Sequence, residues 1–189
     1  MKSNCTKKGI ISLMLAIAFF ASGSSLLFAT KKSNSEDSVS YVGKWVFHSI
    51  TNITEDGEIQ FLNAEELLNY IPNGPTDAII EEMKMNQKLV VGSVVEISKD
   101  GYAYLLTPIP EYVTKEELDE AIATGAVTLR DGMLVIDKPV LWQDRDGELW
   151  IQVGMETLPD GEGQRPAWEK VEITNDGLLI IAMIRYQKA

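Results

Sequence analysis

Short stretches in which apolar and polar residues alternate predict β-strands along most of this chain. Between residues 148 and 153, for example, Leu149, Ile151 and Val153 alternate with Trp150 and Gln152. Asp-Gly dipeptides separate many of these stretches, and Asp-Gly suits the two positive-φ positions of a type I′ turn. The dipeptides are Asp56-Gly57, Asp100-Gly101, Asp131-Gly132, Asp146-Gly147, Asp160-Gly161 and Asp176-Gly177. The pattern predicts an antiparallel up-and-down meander, which hides its edges by closing into a barrel or forming two sheets.

The apolar runs give a count of eight to ten strands. The predicted strands cover residues 41–50, 58–62, 88–97, 102–107, 126–129, 133–137, 140–143, 148–153, 167–173 and 178–186. The last of these is apolar on both faces. A barrel strand covered on its outside has this pattern, and so does a well-buried strand of a sandwich.

Helical spacing replaces the strand pattern at two places. Asn63 is a predicted N-cap, followed by acidic residues and an apolar face, and residues 72–75 (Pro-Asn-Gly-Pro) end that helix. A second helix is predicted from Thr76, with Ile79, Ile80, Met83 and Gln87 on one side. Thr114 begins a capping box for a short helix that reaches about Ala123. We therefore expect a mainly β fold with a helix pair after the first strand or hairpin, and one short extra helix.

The N-terminus has the order of a secretory signal peptide. Lys2, Lys7 and Lys8 precede an apolar stretch over residues 9–20, and residues 21–30 are mostly small. Cleavage near Ala29 would leave a flexible leader over residues 30–40 and a single barrel domain over residues 41–189. The alternative is an uncleaved anchor, but Ser22, Gly23, Ser24 and Ser25 interrupt the apolar segment. The predicted location is secreted or exposed at the cell envelope.

The charge and the cysteine content exclude several classes of function. The whole chain carries a net charge of −11, and without the predicted signal peptide it has 14 basic and 28 acidic side chains. Such acidity argues against binding to nucleic acids or to anionic membranes. Cys5, the only cysteine, lies inside the predicted signal peptide. The exported part is therefore expected to have no disulfide and no thiolate metal site.

Residues at both ends of the barrel region resemble those of the calycin group, meaning lipocalins and intracellular fatty-acid-binding proteins. Gly43-Lys44-Trp45 resembles the Gly-X-Trp motif of the first lipocalin strand, and residues 184–189 resemble a final strand. The resemblance implies a lipocalin-like barrel in which Trp45 packs at the closed end and Arg185 crosses over it. It also implies that the helix pair forms a lid over a cavity.

No pattern typical of catalysis is present. His48 is the only histidine, and no serine lies in a Gly-X-Ser-X-Gly elbow. Residues 144–147 resemble the start of a calcium loop, but Met155 stands where such a loop has its bidentate glutamate. We expect no enzymatic activity, no cofactor and no metal.

Aromatic and flexible apolar residues are the candidates for ligand binding. Trp142, Trp150 and Tyr104 lie on predicted strands, and Met83 lies on the second helix. Cross-strand packing is the competing explanation for the aromatic residues. Two functions follow: a carrier that holds a small hydrophobic or amphipathic ligand inside the barrel, or a module with a filled core that binds or inhibits a protein partner through its surface.

Overall fold

A computed structural model describes residues 41–72, 74–158 and 163–189. The predicted signal peptide, the leader and the Asp160-Gly161 turn lie outside the described residues. The strands are β1 (Gly43–Ile53), β2 (Ile59–Leu62), β3 (Val94–Ile97), β4 (Tyr102–Thr107), β5 (Leu129–Arg130), β6 (Met133–Arg145), β7 (Glu148–Thr157), β8 (Gln164–Lys170), β9 (Glu172–Ile173), β10 (Leu179–Ile181) and β11 (Ile184–Lys188).

The strands form a nearly closed antiparallel barrel, so the predicted fold class is confirmed, although the described residues contain eleven strands where eight to ten were predicted. Their order is β8-β7-β6-β4-β3-β1-β11-β10-β9, while β2 pairs with β1 and β5 with β6. Only Val171 separates the two ends of this path, β8 and β9, and its N–H donates to the Leu149 carbonyl of β7 over 2.8 Å. The first half of one extended segment thus pairs with β7, and its second half pairs with β10.

Three helices accompany the described strands: α1 (Ala64–Asn69), α2 (Asp77–Val91) and α3 (Lys115–Ala123). Asn63 and Thr114 each form the reciprocal capping box that begins α1 and α3. The helix pair follows the β1–β2 hairpin, as predicted.

The strand predicted from Lys88 was wrong at its start, because residues 88–91 complete α2. Val90 and Val91 continue the helical face of Gln87, and Gly92 follows as the C-cap.

The described Asp-Gly turns fall into two kinds. At Asp131-Gly132 and Asp146-Gly147 both residues have positive φ, which is the predicted type I′ geometry. At the other three, only the glycine has positive φ. These three share the sequence Ser/Thr-X-Asp-Gly at residues 54–57, 98–101 and 174–177, and the glycine N–H donates to the carbonyl of the Ser or Thr. They are longer turns with a left-handed glycine, so the residue two positions before the aspartate distinguishes the two kinds.

The strand predicted over residues 178–186 is instead the β10–β11 hairpin. Ile181 pairs with Ile184, and the chain reverses through Ala182, whose φ is 55°, and Met183. Alanine rarely adopts this conformation and the segment contains neither glycine nor proline, so no turn signal marked it. Conversely, residues 133–145 form one strand where two were predicted, with Asp137 at positive φ in its irregular middle.

The two bulkiest of the fully buried side chains in the described residues, Trp45 and Tyr186, lie toward one end of the barrel, which we call the closed end. This end contains the turns at residues 98–102, 145–148 and 174–178, together with the start of β1. Trp45 and Tyr186 are both 1 % exposed there. The Trp45 indole donates to the Tyr41 carbonyl over 2.9 Å, and the Tyr41 hydroxyl donates to the Gly147 carbonyl. These bonds satisfy polar groups that burial would otherwise leave without partners.

Candidate functional site

The opposite end of the barrel, which we call the helix end, carries α1, α2 and the β1–β2 hairpin. Leu67 of α1 belongs to the core cluster. The Gln87 side-chain N–H of α2 donates to the Tyr70 carbonyl over 2.7 Å and so joins the two helices. Lys88 pairs with Glu111 at 3.1 Å in the loop after β4. These contacts hold the helix pair against the barrel.

The end of α2 also lies very close to the end of β4. A Cβ built on Gly92 would come within 2.3 Å of Pro108 Cγ and 3.3 Å of the Lys88 carbonyl oxygen. Gly92 has ordinary helical φ and ψ, so glycine is required there by space and not by backbone conformation. This close approach places α2 directly beside Thr107, the last residue of β4.

Exposed apolar side chains concentrate on the helix end. Of the sixteen large hydrophobic residues exposed in the described chain, eight lie between residues 53 and 85. These eight are Ile53, Ile59, Phe61, Leu68, Tyr70, Ile71, Ile79 and Met85. Large contiguous apolar patches on a protein surface are typical of sites that contact a ligand or a partner.

Two buried polar atoms at the helix end have no hydrogen-bond partner in the described part of the chain. They are Gln87 Oε1 and Thr107 Oγ1, in side chains that are 7 % and 3 % exposed. Gln87 lies three and four residues before Val90 and Val91, which pack against the core, so it shares their inward face. Thr107 lies two residues after the core-packed Leu105, so it also points inward. Sequence reasoning placed Gln87 on an apolar helix face but missed Thr107.

The buried polar side chains of the described residues are all uncharged. Besides Gln87 and Thr107 they are Ser49 and Ser93. Ser93 lies 3.2 Å from the Tyr186 hydroxyl, and burial raises the pKa of Tyr186. The buried polar side chains of the described residues therefore bring no charge into the interior.

Of the three predicted ligand residues that lie on strands, only Trp142 packs against the core cluster. Its side chain is half-buried, and its indole N–H donates to the Ser98 carbonyl over 2.8 Å. That bond lies at the closed end. Met83 is half-buried on α2, one turn before Gln87.

Tyr104 and Trp150 both lie beneath arginine side chains. The Arg130 guanidinium lies 4.0 Å from the Tyr104 ring centroid and forms two hydrogen bonds with Glu96, at 2.8 and 2.7 Å. This pairing raises the pKa of Arg130. Tyr104 follows Ala103 and precedes Leu105, which pack inward, so Tyr104 points outward.

The Arg145 guanidinium lies between Trp150 and Trp168. Its carbon is 4.8 Å from one indole and 4.7 Å from the other. Trp150 alternates with Leu149 and Ile151, which pack inward, so this stack lies on the outer wall. Alternation separates Tyr104 and Trp150 from an interior ligand site, although both are aromatic.

The residues of the Gly-X-Trp resemblance lie at the closed end, but one expected contact is wrong. Lys188, and not Arg185, lies over Trp45, with its Nζ 5.7 Å from the ring. Arg185 lies 3.4 Å from the Phe61 ring centroid. The reason is strand alternation: Ile184 and Tyr186 point inward beside Trp45, so Arg185 between them points outward, toward β2.

His48 and the acidic groups do not assemble a metal-binding cluster in the described residues. His48 Nδ1 lies 3.1 Å from Ser49 Oγ, but Ser49 is buried. No cluster of three or more His, Cys, Asp or Glu side chains suited to a metal occurs in residues 41–72, 74–158 and 163–189. Asp144 accepts a bond from the Gly147 N–H over 2.8 Å, as a hairpin residue does. Within the same ranges, no helix is long and apolar enough to span a membrane.

Comparison with known proteins gives no relative from which a function could be transferred. No family model matches the chain, and neither the curated proteins nor the solved structures contain a significant match.

Proposed function

We propose that this protein is a non-enzymatic, calycin-like carrier that binds a small hydrophobic or amphipathic ligand at the helix end of its barrel. The observation that carries this proposal is the concentration of exposed apolar side chains on the β1–β2 hairpin and the helix pair. The Gly-X-Trp motif at residues 43–45 and a helix pair placed after the first hairpin support the calycin resemblance.

The proposal includes the setting in which the protein acts. The basic and apolar N-terminal segment supports export, so we propose a secreted or envelope-exposed protein. Its acidity favours small-molecule or protein partners over nucleic acids and anionic membranes. An accessible nucleophile is also lacking beside His48, because Ser49 is buried. This supports a binding role without catalysis.

A second function is favoured by the filled closed end. Of the largest fully buried side chains of the described residues, Trp45, Tyr186, Ile97, Leu149 and Leu179 lie toward this end, and Leu106 lies near the other end of β4. Small barrels can be filled entirely by their own side chains. In that case the exposed apolar residues of the helix end would contact a protein partner, and the module would act through its surface.

Titration of the purified protein with a hydrophobic fluorescent probe tests the first function, with fatty acids, alcohols and their ethers as competitors. Saturable binding at a fixed stoichiometry, reversed by one of these amphipaths, is the result expected of a carrier. A folded protein that neither binds the probe nor any competitor would overturn the carrier and favour the protein-binding module.

Matched surface variants locate the binding. Ile71 on the helix end is 47 % exposed, and Ile122 on α3 is 40 % exposed. Ile71→Ser is expected to weaken probe binding several-fold because it removes apolar contact area. Ile122→Ser is expected to leave the affinity unchanged. Equal losses in both variants would show that the probe reports general surface stickiness.

A further inference from the structure

The two buried polar atoms without partners, Gln87 Oε1 and Thr107 Oγ1, favour a bound molecule that can form hydrogen bonds with them. The Gln87 side-chain N–H is engaged with the Tyr70 carbonyl, which fixes the direction of the amide and leaves Oε1 as an acceptor. Thr107 Oγ1 can both donate and accept. A buried polar atom left without a partner costs free energy, so a ligand group that supplies the missing bond gains affinity.

Both atoms belong to the same part of the barrel. Thr107 precedes Pro108, and Pro108 lies against Gly92, the residue after α2. Gln87 lies five residues before Gly92, about 7.5 Å along the helix axis at 1.5 Å per residue. Both side chains face inward, as the core-packed Leu105, Val90 and Val91 beside them do.

Charge narrows the class of ligand further. The buried polar side chains in the described ranges are Ser49, Gln87, Ser93 and Thr107, and none of them carries a charge. An ionised carboxylate brought inside would lose its hydration without meeting a buried cation from this set. A neutral head group meets no such penalty.

We infer that the ligand carries an uncharged head group with a hydrogen-bond donor, such as a primary alcohol or amide, in preference to an ionised carboxylate. The head group donates to Gln87 Oε1 and exchanges a hydrogen bond with Thr107 Oγ1, while its apolar chain lies along the helix-end side chains. This inference rests on the carrier function proposed above.

Three ligands with the same alkyl chain test the inference: dodecanol, methyl dodecyl ether and dodecanoate, each used to displace the fluorescent probe from the purified protein. Dodecanol is expected to bind about tenfold more tightly than the ether, because the ether lacks a donor for Gln87 Oε1. Dodecanoate is expected to be the weakest of the three. Thr107→Val, which keeps the side-chain shape, should weaken binding of the alcohol more than that of the ether and so lower the alcohol-to-ether ratio, because the ether can only accept from the Thr107 hydroxyl.

A matched control and a second variant complete the test. Thr51 lies on β1 next to the inward-facing Ile50 and so points outward. Thr51→Val is expected to keep the wild-type ratio, and Gln87→Leu to lower it. Equal binding of alcohol and ether, tightest binding of dodecanoate, or a ratio unaffected by Thr107→Val and Gln87→Leu would overturn the inference while leaving the carrier intact. Failure of the probe and of all three ligands would overturn both.

Discussion

The closed end and the helix end of this barrel differ in how many buried polar groups have hydrogen-bond partners and in how many apolar side chains are exposed. At the closed end, the indole N–H of the buried Trp45 and the hydroxyl of Tyr41 both donate to backbone carbonyls. At the helix end, apolar side chains are exposed and two buried polar atoms lack partners in the described chain. The contrast is one of number, because Trp150 Nε1 near the closed end is also buried without a partner in the described chain and Tyr102 is exposed there. The end with more exposed apolar side chains and more unpartnered buried polar atoms is the better candidate for binding.

The same contrast is visible in how the ends are connected. The two turns of residues 98–101 and 174–177 close neighbouring strands at the closed end through short loops with internal hydrogen bonds. At the helix end, the connection from β2 to β3 contains both α1 and α2. Stability is expected to be concentrated in the first region, so changes of similar size should have unequal effects at the two ends.

Removal of Trp45 is expected to have the largest effect. Trp45→Ala deletes a side chain that is 1 % exposed and leaves a large void, so we expect a loss of about 3–5 kcal/mol in the free energy of unfolding. Urea denaturation followed by circular dichroism measures it. Phe61→Ala at the helix end, where the ring is exposed, should cost much less. Similar losses in the two variants would remove the distinction between the ends.

Gly92→Ala is expected to rank second. The new Cβ would meet Pro108 Cγ at 2.3 Å, and relief of this overlap requires movement of α2 or of the loop after β4. We expect destabilisation of about 1–3 kcal/mol. In a Pro108→Ala background the same substitution should cost clearly less, which a double-mutant cycle by urea denaturation measures. An unchanged cost would mean that Pro108 is not the obstacle.

The sequence predicted the class of fold because strand alternation and Asp-Gly turns are local signals. Where a boundary was wrong, the deciding interaction was not local. Residues 88–91 are apolar enough for a strand, but Val90 and Val91 reach the core as part of a helix. The β10–β11 turn at Ala182 and Met183 contains no turn-forming residue, and pairing of Ile181 with Ile184 holds it in place.

The candidate site was harder to predict than the fold. Tyr104 and Trp150 were predicted to bind the ligand because they are aromatic residues on strands. Both instead point outward, beneath arginine side chains. Their direction depends on which face of each strand is the inner one, and cross-strand aromatic packing gives the same composition. Thr107 carried no signal, because a threonine in a strand is ordinary until its hydroxyl is found buried without a partner.

Thr107→Val is expected to have a smaller effect, and with the opposite sign. The substitution replaces a buried hydroxyl that lacks a partner by a methyl group of similar shape, so we expect the free protein to become more stable by up to about 1 kcal/mol. Ser93→Ala is the matched comparison, because it removes a partner of the Tyr186 hydroxyl and should destabilise the protein. If Thr107→Val destabilised the protein as much, Thr107 would have a structural partner and the contrast between the ends would weaken.

The smallest predicted effect concerns acid and the three Ser/Thr-X-Asp-Gly turns. Hydrogen bonds from Thr54 and Thr174 lower the pKa of Asp56 and Asp176, and a bond from the Tyr102 N–H lowers that of Asp100, all from an ordinary value of 3.8. The folded state therefore binds fewer protons than the unfolded state. The stabilisation is complete above about pH 4 and is lost as the pH falls through the folded-state values.

Substitution by asparagine separates the contribution of each turn. Asp100→Asn and Asp176→Asn at the closed end, and Asp56→Asn in the β1–β2 hairpin, should each make unfolding slightly less sensitive to pH between about 4 and 2, since each removes one such titrating group. Urea midpoints measured across this range provide the comparison. Because the carboxylates are exposed at both ends, the three changes should be similar in size. A much larger change at the closed end would show that the difference between the two ends extends from the core to the turns.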